Sequence, residues 1–128
     1  MRQMLIDTNI YSRALRGDQS IIDTLRRQKA LGFSVVSIGE LLSGFKGGIK
    51  EAKNRSELEE FLDSPRVVVY FIDDDTAEFY SEVLHNLRIA GTPIPTNDIW
   101  IAAIAFQHGL KLFSSDAHFQ QVKGLALA

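Results

Sequence analysis

Short apolar runs alternate with amphipathic stretches along this chain, and the alternation predicts strand and helix in turn. Arg2 to Ile6 reads as a first strand, and Thr8 to Leu15 as a helix ended near Gly17. Ile21, Ile22, Leu25 and Leu31 carry a helical stripe that Gly32 stops. Phe33 to Val36 is uninterrupted and reads as the second strand. Ser37 to Phe45 reads as helix, broken by Gly44, Gly47 and Gly48. Ile49 to Leu62 is a charged amphipathic helix closed by Ser64-Pro65. Val67 to Ile72 gives the third strand. Asp75 to Ala90 is a long helix with Phe79, Val83, Leu87 and Ala90 on one face and Gly91 as its stop. Asp98 to His108 is an apolar helix followed by Gly109. Lys111 to Ser114 is the fourth strand, and the tail from Val122 to Leu127 is a candidate short fifth.

Continuous apolar strands separated by helices predict an α/β fold with a parallel sheet covered on both faces. No repeat, linker or low-complexity tract divides residues 1–128, so a single domain is expected. Open sheets of this kind bind ligands beyond the carboxyl ends of their strands. Four acids stand near such ends: Asp7 after Leu5-Ile6, Glu40 after the second strand, Asp98 at the mouth of an apolar helix, and Asp116 after Phe113-Ser114-Ser115. The topology predicts that all four face one crevice. Acids buried at strand ends are costly unless something positive neutralises them, and a hard cation is the simplest agent.

Each acid also has a simpler reading. Asp7 fits a helix N-cap. Ser37-Ile38-Gly39-Glu40 fits a capping box, with Ser37 at the cap and Glu40 three residues on. Asn97 or Asp98 could cap the apolar helix, and Asp116 could belong to an ordinary turn. Capping and ligation are compatible, because a carboxylate has two oxygens. Coincidence at four junctions favours a shared pocket over four separate caps.

Composition narrows the chemistry. The chain has no cysteine, which excludes a disulfide scaffold, a thiolate metal site and a cysteine nucleophile, and fits a reducing, cytoplasmic setting. No apolar run approaches transmembrane length, so no membrane partner is expected. The net charge of -2 argues against a general clamp on duplex DNA. Setting the four acids aside turns the remaining balance positive, which leaves a phosphate substrate open. All-oxygen ligands suit Mg²⁺ or Mn²⁺ better than zinc. His85 and His108 fall inside helices without zinc spacing. His118 is within reach of the pocket edge, but a surface position is the simpler expectation for it.

The segments Met4-Leu5-Ile6-Asp7-Thr8-Asn9, Ser37-Ile38-Gly39-Glu40-Leu41, Pro93 to Ala103 and Ser114-Ser115-Asp116-Ala117-His118-Phe119 together resemble a PIN-domain nuclease. In size and motif order the chain is similar to the VapC-type toxins of toxin–antitoxin pairs. The resemblance spans nearly the whole chain, and its first and third motifs are the most specific. It implies a three-layer α/β/α sandwich with a central parallel sheet, and Mg²⁺- or Mn²⁺-dependent cleavage of RNA. It implies that Asp7, Glu40, Asp98 and Asp116 form the catalytic metal site. Thr8 and Ser114 match the family's hydroxyl positions, with Asn9 and Asn97 as nearby polar support. It further implies an antitoxin that covers the acidic pocket, and a homodimer.

RNA needs positive contacts. Arg13 and Arg16, on the helix leaving the first acid, are the expected phosphate contacts; Lys46 is a further candidate. Lys50, Lys53 and Arg55 read better as a solvated face. Ile21, Ile22, Leu25, Phe45, Ile49, Leu58 and Phe61 are candidates for an antitoxin groove, and Phe79, Tyr80 and Trp100 for a dimer interface, although core positions would explain many of them. A catalytically silent binding module is the main alternative. A phospho-receiver domain is a weaker one: Asp73-Asp74-Asp75 follows the third strand, but the paired acids and the terminal lysine it needs are missing. Asn9 likewise stands where a haloacid-type phosphatase needs a second acid.

Overall fold

The computed structural model describes residues 2–128. Its elements run β1 (Met4–Ile6), α1 (Thr8–Leu15), α2 (Gln19–Arg26), β2 (Leu31–Ser34), α3 (Val35–Lys46), α4 (Glu51–Asp63), β3 (Val67–Tyr70), α5 (Asp74–Ala90), α6 (Thr96–His108) and β4 (Lys111–Phe113). A short 3-10 helix, Ala117–Gln121, follows. All strand pairs are parallel, in the order β3-β2-β1-β4. The tail does not build a full fifth strand. Leu127 makes one parallel bridge to Leu112, held by Leu112 N–H to Ala126 O and Ala128 N–H to Leu112 O, both 2.8 Å.

Side chains alternate across the sheet and create two cores, as a strand's period of two requires. Met4, Ile6, Leu31 and Phe33 pack with Ile10, Tyr11, Ile21, Leu41 and Leu58 under α1 to α4. Leu5 and Leu112 pack with Val83, Leu87, Ile101 and Ile104 under α5 and α6. The result is the expected α/β/α sandwich. Burying both faces explains why β1, all three residues of it buried, carries no polar side chain. No helix among the described residues is long and apolar enough to cross a membrane.

The second strand lies two residues earlier than the pattern predicts. Gly32 does not stop a helix; it pairs with Leu5 and Val68 inside the sheet. A Cβ there would sit 2.8 Å from the Tyr70 ring and 3.1 Å from Met4 O, so only glycine fits. Leu31 is therefore a strand residue, and α2 ends at Arg26. Val35 and Val36 belong to α3, because Ser34 caps that helix by accepting from Ser37 N–H at 3.1 Å. The Ser37–Glu40 capping box is thus not formed. The third strand stops at Tyr70 and the fourth at Phe113, each short of expectation, while α5 and α6 begin earlier, at Asp74 and Thr96. Gly91 and Gly109 end α5 and α6 with φ of 71° and 64°, as read from the sequence.

Candidate functional site

The carboxyl ends of β1 and β4 are neighbours at the centre of the sheet, and this brings Asp7 and Asp116 to one place. Glu40 arrives from α3 and Asp98 from the first turn of α6. The four acids line one open cleft with Thr8, Asn9, Arg13 and Arg16. Four chain segments far apart in sequence thus converge on it.

Each carboxylate is held by its own donors. Asp7 is 5% exposed. Its Oδ1 accepts from Thr8 N–H at 2.8 Å and its Oδ2 from the Ser114 hydroxyl at 2.7 Å. Ser114 Oγ in turn accepts from Asp116 N–H at 2.9 Å. Thr8 Oγ1 lies 2.8 Å from both Glu40 Oε1 and Ser37 Oγ. Its single proton goes to the carboxylate, which only accepts, so Ser37 donates to Thr8. Asn9 Oδ1 accepts from Ser115 N–H at 3.3 Å and ties α1 to the loop after β4. Asp98 is buried and makes no capping bond; the residue before α6, Pro95, has no side chain to cap with.

His118 is part of this arrangement: it stays half-exposed at the surface and reaches the pocket edge from there. Its Nδ1 lies 3.0 Å from Asp98 Oδ2 and 3.0 Å from Asp116 Oδ1. One ligand atom from each of these three residues falls within 4.8 Å of the others. The one sequence signal was its place two residues after Asp116, on the turn that the Asp116 carboxylate caps through His118 N–H at 2.9 Å. Asn97, expected as polar support, is exposed on α6 and does not line the cleft.

The site is electrostatically overloaded. Burial pushes the Asp7 carboxyl above its ordinary value, and the charges of Asp98 and Glu40 push the same way, against the bonds from Ser114 and Thr8. Burial also raises Asp98, opposed first by the His118 hydrogen bond and aided by the Asp116 and Glu40 charges. The bond to Asp98 is the main reason His118 holds its proton above the usual histidine range. Among the described residues His118 supplies the only ion pairs to the four acids. Arg13 pairs with Asp18 at 2.6 Å, and Lys46 and Arg55 reach Glu51 at 3.5 and 3.9 Å. Lys46, a candidate for RNA, therefore sits away from the cleft, whereas Arg13 and Arg16 line it. Four carboxylates on one cleft, with surplus negative charge, fit a hard divalent cation, although only Asp98 and Asp116, with His118, already stand at mutual ligand distance.

The other sequence candidates separate. Ile21 and Leu58 are core, and Ile49 is 98% exposed. Ile22, Leu25 and Phe61 do line an apolar groove, together with Tyr11, Leu15, Arg26 and Arg66. Tyr80 and Trp100 stack with ring centroids 4.0 Å apart, and Phe79 lines a separate apolar groove beside α5 that holds none of the acids. The phospho-receiver alternative fails on topology and on Asp73. The sheet order differs from that fold's 2-1-3-4-5. Asp73 caps α5 in a reciprocal box with Thr76, so it is occupied structurally.

Fold and site together define a class: an α/β/α domain with a carboxylate cleft at the carboxyl ends of a parallel sheet. The PIN domain sequence profile matches residues 4–125, and the chain belongs to the PIN-domain family. It is 32% identical over 85 residues to ribonuclease VapC4 of Mycobacterium tuberculosis, covering 66% of this chain and 65% of that protein. It is 26% identical over 125 residues to ribonuclease VapC5 of the same organism, covering 95% of this chain and 89% of that protein. The crystal structure of VapBC2 from Rickettsia felis, bound to a DNA fragment from its promoter, shares the fold. There the TM-score is 0.88 at 24% identity, over 98% of this chain and 96% of that one.

Proposed function

We propose that this chain is a divalent-metal-dependent ribonuclease and the toxin of a VapBC-type pair. The observation that carries the reading is the convergence of Asp7, Glu40, Asp98 and Asp116 on one cleft in which no lysine or arginine neutralises them. The two relatives named ribonucleases supply the substrate class.

The four acids hold Mg²⁺ or Mn²⁺. Such an ion supplies Lewis acidity toward a phosphodiester and lowers the pKa of water. The chain's own groups do the rest. Ser114 and Thr8 N–H fix the Asp7 carboxylate, and the Thr8 hydroxyl fixes Glu40, so the acids are oriented before substrate arrives. Arg13 and Arg16 meet backbone phosphates, which positions RNA without reading its sequence. No side chain is required as a covalent nucleophile.

An antitoxin would use the apolar groove of Ile22, Leu25 and Phe61 and place a basic residue among the acids, where an arginine can pair bidentately. Phe79 is, of the three candidates, the exposed aromatic available to a homodimer. The setting is the cytoplasm, where RNA and antitoxin meet.

The test is cleavage of a labelled small-RNA pool by the purified chain with Mg²⁺ or Mn²⁺, with EDTA, and with Asp7→Asn in parallel. Discrete products that need both metal and Asp7 are expected. Cleavage that survives the variant would reject the site, and no cleavage at all would favour a silent binding module.

A further inference from the structure

His118 stands where two of the four acids come closest. Its backbone is fixed, because its N–H donates to Asp116 Oδ1 and the next residue, Phe119, is 1% exposed in the core. Its Nδ1 faces two acceptors, Asp98 Oδ2 and Asp116 Oδ1, each at 3.0 Å. With the ring N–H placed on Nδ1, this one nitrogen can donate to both oxygens, and the contact is set by the two 3.0 Å distances. Asp98 comes from α6 and Asp116 from the loop after β4, and no other side chain joins them.

We propose that His118 is a positioning residue, an Nδ1 hydrogen-bond clamp that sets the separation of Asp98 and Asp116 so that the cleft receives a divalent ion with little rearrangement. The inference rests on the metal-dependent reading of the same site and adds to it a residue outside the acid quartet. Without the clamp the two carboxylates repel and drift apart, and an ion must draw them together as it binds. Loss of a partner that orients metal ligands typically costs 10- to 100-fold in metal affinity. The half-exposed ring has its Nε2 directed away from the clamp, so the role needs the Nδ1 position alone.

Side-chain geometry separates this role from bulk or stability. Asparagine carries its amide nitrogen close to the position of Nδ1, whereas glutamine carries it close to that of Nε2. The experiment measures Mn²⁺ binding to the full-length chain by electron paramagnetic resonance of the free ion. It compares wild type with His118→Ala, His118→Gln, His118→Asn and Asp7→Asn. The alanine and glutamine variants are expected to bind roughly 10- to 100-fold more weakly. The asparagine variant should stay within about threefold of wild type. Cleavage lost in His118→Ala at low Mn²⁺ should return at saturating Mn²⁺, while a thermal melt in EDTA shows the variant as folded as wild type. Binding by the alanine and glutamine variants equal to wild type, or an asparagine variant as weak as they are, overturns the clamp alone. Wild-type protein that binds no Mn²⁺, or binds it equally after Asp7→Asn, overturns the metal reading and the clamp together.

Discussion

Asp7→Asn is expected to stabilise the metal-free protein while abolishing cleavage. Asp7 is almost fully buried and faces the charges of Asp98 and Glu40. Burial is the largest cost of an ionised Asp7 and the two neighbouring charges add to it, together setting on the order of 4 kcal/mol against the ion. Hydrogen bonding works the other way. Replacing a charged acceptor by a neutral one weakens each of its two bonds, at 2.8 and 2.7 Å, by about 1 kcal/mol. The variant amide keeps both contacts: its carbonyl accepts from Thr8 N–H, and its NH₂ donates to Ser114 Oγ, whose proton can turn to solvent. The net gain is on the order of 2 kcal/mol, or roughly 6–10 °C in Tm for a chain of this size. Differential scanning calorimetry in EDTA, repeated across a Mg²⁺ titration, reads it. Wild type should gain about 2.7 kcal/mol at one hundred times its Kd, and the variant much less. A variant that melts at or below wild type in EDTA would refute the view that uncompensated charge dominates this cleft.

Three further outcomes follow from the same structure. Metal-free wild type should lose stability as pH rises above the ordinary carboxylate and histidine values. The folded pKa values of Asp7, Asp98 and His118 are all raised, so each contribution is complete below the unfolded value (3.8 for the acids, 6.5 for the histidine) and is lost as pH rises through the folded one. Urea midpoints that rise over that range would contradict this. Gly32→Ala should lower stability by about 1–3 kcal/mol, because a Cβ would lie 3.1 Å from the Met4 carbonyl of the neighbouring strand and 2.8 Å from the Tyr70 ring, so one of them must shift; a thermal melt reads the loss. Arg13→Ala should weaken RNA binding and reduce its log–log salt slope by roughly 0.7, whereas Lys46→Ala, at a site paired to Glu51 outside the cleft, should leave both unchanged in filter binding.

Most of the fold was legible because burial on both faces of a parallel sheet writes uninterrupted apolar runs, and Met4-Leu5-Ile6 is such a run. The second strand was misplaced because local preference and tertiary context disagree there. Gly32 reads as a helix stop, but its missing side chain is the space the Tyr70 ring occupies. Val35 and Val36 read as strand, but Ser34 turns the chain into α3 one residue earlier. His118 was hard to see because a single histidine has no periodicity; only the turn capped by Asp116 folds its ring back onto the acids.

The misplaced strand bears on how the acids are interpreted. In the sequence, Glu40 had a competing explanation as the acidic half of a capping box. With Ser34 as the true cap, Glu40 lies beyond the first turn of α3, and its hydrogen-bond donor is the Thr8 hydroxyl at 2.8 Å from another element. Asp98 loses its capping explanation too, since its donor is the His118 ring. Asp7 and Asp116 do cap, each through Oδ1 to a neighbouring N–H. Two of the four acids are therefore placed by demands of local helix structure, and two by nothing local at all. Buried or half-buried carboxylates that serve no cap and meet, among the described residues, no basic side chain but His118 weaken the apo fold, a cost that the proposed cation would offset.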